Sequence, residues 1–220
     1  MRVLFSYGLI AISKPRCGST SVRQILDDLV DFKCGDIVVD SADECPPYHP
    51  HLSAPRLKEL LVNKGYDISR MTTFIITRNP LDMLWSYFHF FSPDEFGQYN
   101  YDRTWTSGAL MTFENWVMSG QVGMDAGAQA LAPDWISTGN LTPLNLEAHV
   151  ENRVGETEVD HVFLLEEIDK FASWLSNYTT RDIVMRHVNG SQRGDLPKIG
   201  EGMRDRIVEM FPQESAIYAL

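Results

Sequence analysis

One short stretch constrains this chain more than any other. It is Lys14-Pro15-Arg16-Cys17-Gly18-Ser19-Thr20-Ser21, a turn of small and cationic residues between two differently patterned apolar runs. Before it, Arg2 to Ile12 carries Val3, Leu4, Phe5, Tyr7, Leu9, Ile10 and Ile12, the pattern of a strand buried on both faces. After it, Val22, Ile25, Leu26, Leu29 and Val30 recur at helical spacing. A turn from a buried strand into a helix leaves the first helical N–H groups without intrahelical partners. It aims them, with the helix dipole, at whatever the turn holds. The stretch is therefore an anion site in outline. Gly18 allows close backbone approach, Ser19, Thr20 and Ser21 bring hydroxyl donors, and Lys14 and Arg16 bring charge. Alone, it also reads as a capped helix start with two surface cations. The Walker pattern, with Gly-Lys-Ser/Thr after a four-residue gap, is absent, which argues against an ATP- or GTP-hydrolysing loop.

The rest of the chain alternates. Asp36 to Asp40 predicts a short strand, and Ser53 to Lys64 a helix, with Ser53 as cap, Pro55 in the first turn and Gly65 as terminator. Met71 to Thr77 is β-branched and apolar and predicts a buried strand. A helix capped by Asn79, with Pro80 in its first turn, should run to about Phe91. Residues 92–142 mix Gly, Ser, Asn and aromatics around one helix near Thr112 to Met118, the composition of a substrate-facing insertion. A strand at His161 to Leu165, a helix at Glu167 to Ser176, a polar loop at Asn189 to Gly200 and a helical tail from Glu201 to Tyr218 complete the pattern. Strands alternating with helices predict one α/β domain, residues 1–220, around a parallel sheet.

A second constellation is Arg78-Asn79-Pro80-Leu81-Asp82-Met83-Leu84-Trp85-Ser86-Tyr87. Arg78 ends a predicted parallel strand, where such sheets bind ligands. Ser86 follows two helical turns later, and an arginine fork with a hydroxyl can clamp a phosphate. Together the two constellations resemble the superfamily of sulfotransferases that use 3′-phosphoadenosine 5′-phosphosulfate. Lys14–Ser21 is similar to its Pro-Lys-x-Gly-(Gly/Ser)-Thr-Ser, and Arg78–Tyr87 to its Arg-Asn-Pro-x-Asp-Arg-x-x-Ser-x-Tyr. The resemblance covers residues 2–91 well, and more weakly the late strand with Glu166 and the chain's end. It implies a P-loop-like three-layer α/β fold, a central parallel sheet flanked by helices. It further implies that Lys14, Arg16, Cys17, Gly18, Ser19, Thr20 and Ser21 hold the 5′-phosphosulfate, and Arg78 and Ser86 the 3′-phosphate. Two departures stand out. Arg16 occupies the position of the family's loop lysine, with Lys14 before the proline instead, so either cation can stabilise the leaving phosphate. Met83 replaces the family's second arginine, and Arg193 with Gly194 offers a substitute in the late loop.

Between the two constellations lies His49-Pro50-His51-Leu52-Ser53. It resembles the His-x-His segment of the uronyl 2-O-type branch of carbohydrate sulfotransferases. That resemblance implies His51 as general base and His49 as an orienting or acceptor-contacting residue, with the reverse assignment open. An imidazole suits removal of a hydroxyl proton near neutral pH. The acceptor is then a hydroxylated small molecule or saccharide, with 3′-phosphoadenosine 5′-phosphate as product and no metal. Trp85, Trp105, Trp116 and Trp135 are candidates to stack on it, or packing residues. The rivals are a small-molecule kinase with a variant phosphate loop and a nucleotide-binding protein without catalysis.

Charge narrows the partners. The formal net charge is −11, which disfavours nucleic acid, anionic membranes and heavily sulfated polymers. Cys17, Cys34 and Cys45 are odd in number and irregular in spacing, fitting neither a disulfide framework nor a zinc site. A reducing, cytoplasmic setting follows. No apolar run reaches the ~20 residues of a membrane span. The apolar start reads as a core strand rather than a leader, and the Asn140-Leu141-Thr142, Asn177-Tyr178-Thr179 and Asn189-Gly190-Ser191 triplets read as chance matches to the glycosylation pattern.

Overall fold

The computed structural model describes residues 1–40, 50–91, 112–121, 140–184 and 195–220. They fall into two compact units. The first comprises residues 1–78 and 149–190, the second residues 79–148 and 191–220.

The first unit is built on a five-stranded sheet. Its strands are β1 (Arg2–Leu4), β2 (Leu9–Ile12), β3 (Ile37–Val38), β4 (Thr72–Thr77) and β5 (His161–Leu164), in the spatial order β3-β1-β2-β4-β5. The expected parallel core is present. β2 pairs in parallel with β4 (Ile12 with Ile75), and β4 with β5 (Thr77 with Leu164). The single strand expected over Arg2 to Ile12 is corrected. The run folds into a hairpin, with β1 antiparallel to both β2 and β3. The turn closes through the Tyr7 amide on the Leu4 carbonyl at 3.1 Å, and Gly8 takes φ +65°, a left-handed backbone that glycine adopts without Cβ strain. An apolar run signals burial but carries no mark of where the chain reverses.

Alternation then sorts the side chains. Leu9, Ala11, Phe74 and Ile76 share one face and pack with Val22, Ile25 and Leu26 of α1 (Ser19–Asp27) and Ile168, Phe171 and Leu175 of a later helix, Ile168–Thr179. Phe74 lies 5.2 Å from Phe171, centroid to centroid, and Phe163 of β5 also 5.2 Å from Phe171. Ile10, Ile12 and Ile75 on the opposite face are buried too, as in a sheet covered on both sides. The helix α2 (Ala54–Asn63) buries Ala54, Leu57 and Leu61. Arg2 pins the far edge of the sheet. It is 1% exposed and donates to Asp27 of α1 at 2.5 Å, to Asp40 at 2.9 Å, and to the Met1 and Val39 carbonyls. Burial alone would lower its pKa, but the hydrogen bonds to Asp27 and Asp40 win and raise it.

The second unit is helical in its described parts. α3 (Pro80–Phe91) starts as expected, with the Asn79 side chain accepting from the Leu81 amide at 3.0 Å. α4 (Phe113–Ser119) is capped by Thr112 through the Asn115 amide. Trp85 and Phe113 lie 4.9 Å apart and Phe88 and Trp116 5.5 Å apart, forming this unit's aromatic core. A four-residue helix α5 (Glu147–Val150) leads back to the first unit, where Ile168–Thr179 is α6. The tail, expected as one helix, is two: α7 (Glu201–Met210) and α8 (Pro212–Tyr218). Pro212 has no N–H to continue a ladder, so it starts a helix instead of extending one. No helix among the described residues is long and apolar enough to cross a membrane.

Candidate functional site

The first unit gathers three segments at the carboxyl ends of its parallel strands. After β2 the chain runs through α1 to β3, on one side. After β4 the next strand, β5, lies on the other side. The strand order reverses between β2 and β4, the position at which open α/β sheets bind ligands. Ser13 to Gly18 leaves β2 there, Arg78 leaves β4, and Leu165 leaves β5.

The loop turns tightly into α1. Gly18 is the residue before the helix, at φ +74°, and no side chain caps it. The leading amides of α1 are therefore left to a ligand or solvent. A Cβ on Gly18 would stand 2.5 Å from Cδ1 of Leu165, so a side chain there would be strained at the backbone and would have to displace that methyl. Arg16 also holds a left-handed backbone, at φ +59°. A non-glycine residue keeps that conformation only where its surroundings fix it, as at ligand clamps. Arg78 reaches over to the loop, its Nη1 3.4 Å from the Arg16 carbonyl. Lys14 is 1% exposed, with Nζ 3.8 Å from the Cys17 sulfur. Arg16 is half-buried. Of the two cations, Arg16 is thus the more open to a ligand and Lys14 the one packed beneath the turn.

His51 comes to the same place. Its Nδ1 lies 2.7 Å from the Ser13 carbonyl, the last peptide before Lys14. Thr77, the last residue of β4, brings a fully buried hydroxyl with no hydrogen-bond partner among the described residues. A gap of about 10 Å³ under Lys14 and Cys17 is a packing void. A cleft of about 560 Å³ runs along α1 from Ser21 and Gln24, past Asp28 just beyond the helix, to residues 181–184. Its lining is acidic, with Asp27, Asp28 and Asp182 against Arg181.

Lys14, Arg16, Cys17, Gly18, Ser19, Thr20, Ser21, His51 and Arg78 thus share one unit. Ser86 belongs to the second unit, buried on α3, where Met83 is also a buried core residue. His49, Arg193 and Gly194 lie outside the described residues, as do Trp105 and Trp135. Trp116 is fully buried in aromatic packing, which makes it a core residue. Sequence reasoning missed Leu165, Thr77 and the Ser13 carbonyl. A leucine or threonine at a strand end, or a backbone oxygen, carries no signal in a linear pattern. No group of three or more His, Cys, Asp and Glu side chains suited to a metal occurs among the described residues.

No protein-family model matches the chain, and no curated protein matches it in sequence. Among solved structures it is similar to mouse sulfotransferase SULT7A1 complexed with PAP. The identity is 15% over 94% of this chain and 84% of that one, with a TM-score of 0.43. A likeness of that size establishes no residue-by-residue correspondence.

Proposed function

We propose that this protein belongs to the sulfotransferases that use 3′-phosphoadenosine 5′-phosphosulfate, in or near the uronyl 2-O-type branch. Its reaction moves the donor's sulfuryl group to a hydroxyl of a saccharide or small molecule, in a cytoplasmic setting and within a single domain. One observation carries the reading. The small-residue loop meets a histidine and a strand-end arginine in one unit, at 2.7 Å from the Ser13 carbonyl and 3.4 Å from the Arg16 carbonyl.

The residues divide the work. The α1 amides with Thr20 and Ser21 hold the donor's 5′ end. Arg78 serves the 3′-phosphate. His51 takes the acceptor hydroxyl's proton, helped by His49, as the acceptor oxygen bonds to sulfur. The bond from sulfur to the bridging phosphate oxygen breaks, and that oxygen keeps the electron pair. Arg16 and Lys14 stabilise the charge left there. The balance is an acceptor sulfate ester, 3′-phosphoadenosine 5′-phosphate and one proton, with no metal assigned. Holding both reactants in line supplies the rest of the rate.

Calorimetry with 3′-phosphoadenosine 5′-phosphate and, separately, ATP tests the nucleotide. Binding of the first and not the second is expected. Tight ATP binding alone would sink the proposal. Transfer of labelled sulfate to a panel of hydroxylated acceptors tests the chemistry. A protein that binds the nucleotide but transfers to no acceptor is a binder, not an enzyme.

A further inference from the structure

We propose that His51 is a positioning residue for the donor loop as well as its base. Its Nδ1–H latches the loop, and the lone pair that takes the acceptor's proton is the one on Nε2. The Nε2 assignment rests on the sulfuryl-transfer reading above; the latch does not.

A carbonyl oxygen only accepts, so the 2.7 Å contact with Ser13 places a hydrogen on His51 Nδ1. In the neutral ring the lone pair then belongs to Nε2, since the partner of one ring nitrogen sets the state of the other. The bond also bears on the loop. Ser13 is buried, immediately beyond β2, and three residues later the chain enters the left-handed backbone of Arg16. Such a turn needs ties from outside itself. Among the described residues, two ties come from separate segments: Arg78 on the Arg16 carbonyl at 3.4 Å, and His51 on the Ser13 carbonyl at 2.7 Å. The histidine tie is the shorter and stands at the loop's entry. A ring held at Nδ1 keeps Nε2 close to the loop's entry. This hydrogen bond thereby ties the base to the donor cradle.

Three substitutions separate the two roles. His51→Asn puts an amide N–H where Nδ1 stands and nothing at Nε2. His51→Gln puts its amide near the Nε2 position, and His51→Ala supplies neither. Amide hydrogen exchange over residues 14–19 of the unliganded protein reads the latch, with the β4 amides as an internal check on folding. The Asn variant should exchange like wild type, and the Ala and Gln variants about tenfold faster, the effect of one net hydrogen bond. Affinity for 3′-phosphoadenosine 5′-phosphate should follow the same order, with Asn within about threefold of wild type and the other two about tenfold weaker. Sulfuryl transfer should be lost in all three. Loop exchange in the Asn variant as fast as in the Ala variant would overturn the latch, as would wild-type exchange in all three. Wild-type turnover in the Asn variant would overturn Nε2 as base. An exchange pattern as expected, in a protein that binds no nucleotide, would leave the latch standing and remove the sulfuryl-transfer reading.

Discussion

Replacing Gly18 with alanine probes the loop most directly, because the structure supplies both parts of its cost. At φ +74° an L-residue brings its Cβ against the following carbonyl, which costs about 1–2 kcal/mol. The new methyl would stand 2.5 Å from Leu165 Cδ1, about 1 Å inside an ordinary carbon contact. Leu165 is partly buried and packs against the α1–α6 core, so it yields only by disturbing that packing, at about 1–3 kcal/mol. Together Gly18→Ala should cost about 2–5 kcal/mol, a large share of the roughly 5–15 kcal/mol that holds a domain folded. Urea denaturation measures the total, and a double-mutant cycle with Leu165→Ala divides it. Truncating Leu165 should relieve the steric part, giving a favourable coupling of about 1–3 kcal/mol and leaving the backbone part behind. A Gly18→Ala protein within ~0.5 kcal/mol of wild type would refute the strain argument. A full cost with no coupling would refute the contact with Leu165.

Three further outcomes are expected. Arg2→Met should lower unfolding stability by about 2–3 kcal/mol, since the carbonyls of Met1 and Val39 and two carboxylates lose their shared donor. The loss stays at the low end because Asp27 and Asp40, 44% and 51% exposed, rehydrate. Arg2→Lys should not restore it, lacking the planar fork, and a Lys variant equal to wild type in urea would count against this account. Thr77→Val and Thr73→Val keep side-chain shape and remove buried hydroxyls that have no partner, so each should be neutral or stabilising by up to about 1 kcal/mol in the same assay. A clear loss in either would show that its hydroxyl is satisfied in solution. The hydrogen bond from Cys34 to Asp31, at 3.4 Å, pushes the thiol pKa up. Cys34 should therefore alkylate more slowly than a peptide thiol at pH 8, and Asp31→Asn should speed it, by peptide mapping with iodoacetamide. Unchanged kinetics in that variant would remove Asp31 as the cause.

Much of the site was legible because its signals are local. The Pro80 helix and its Asn79 cap, the β-branched run that became β4, and Gly18 before α1 each follow from residues within a few positions of one another. The hairpin was not legible. Arg2 to Ile12 is apolar from end to end, and both one long strand and two short ones bury it. What distinguishes them is the antiparallel partner that β1 finds in β3, almost thirty residues on from Leu9. The break at Pro212 was visible as a residue, but a proline inside a helical pattern can kink a helix or restart one, and the packing of the tail decides which.

The Lys14–Ser21 turn shows where local pattern ends and tertiary structure begins. The sequence by itself determined that a small-residue turn opens a helix there, because Gly18 and the hydroxyl residues after it stand between a buried strand pattern and a helical one. It also determined that His51 and Arg78 carry suitable chemistry. Only the tertiary structure decided that His51 meets the loop through Nδ1 at the Ser13 carbonyl, that Arg78 braces the Arg16 carbonyl, and that Leu165 closes the space above Gly18. It also separated the two cations, packing Lys14 beneath the turn and leaving Arg16 nearer its surface. The strand-end contacts among these come from the parallel register, and His51 arrives from the segment before α2; no linear spacing encodes either distance.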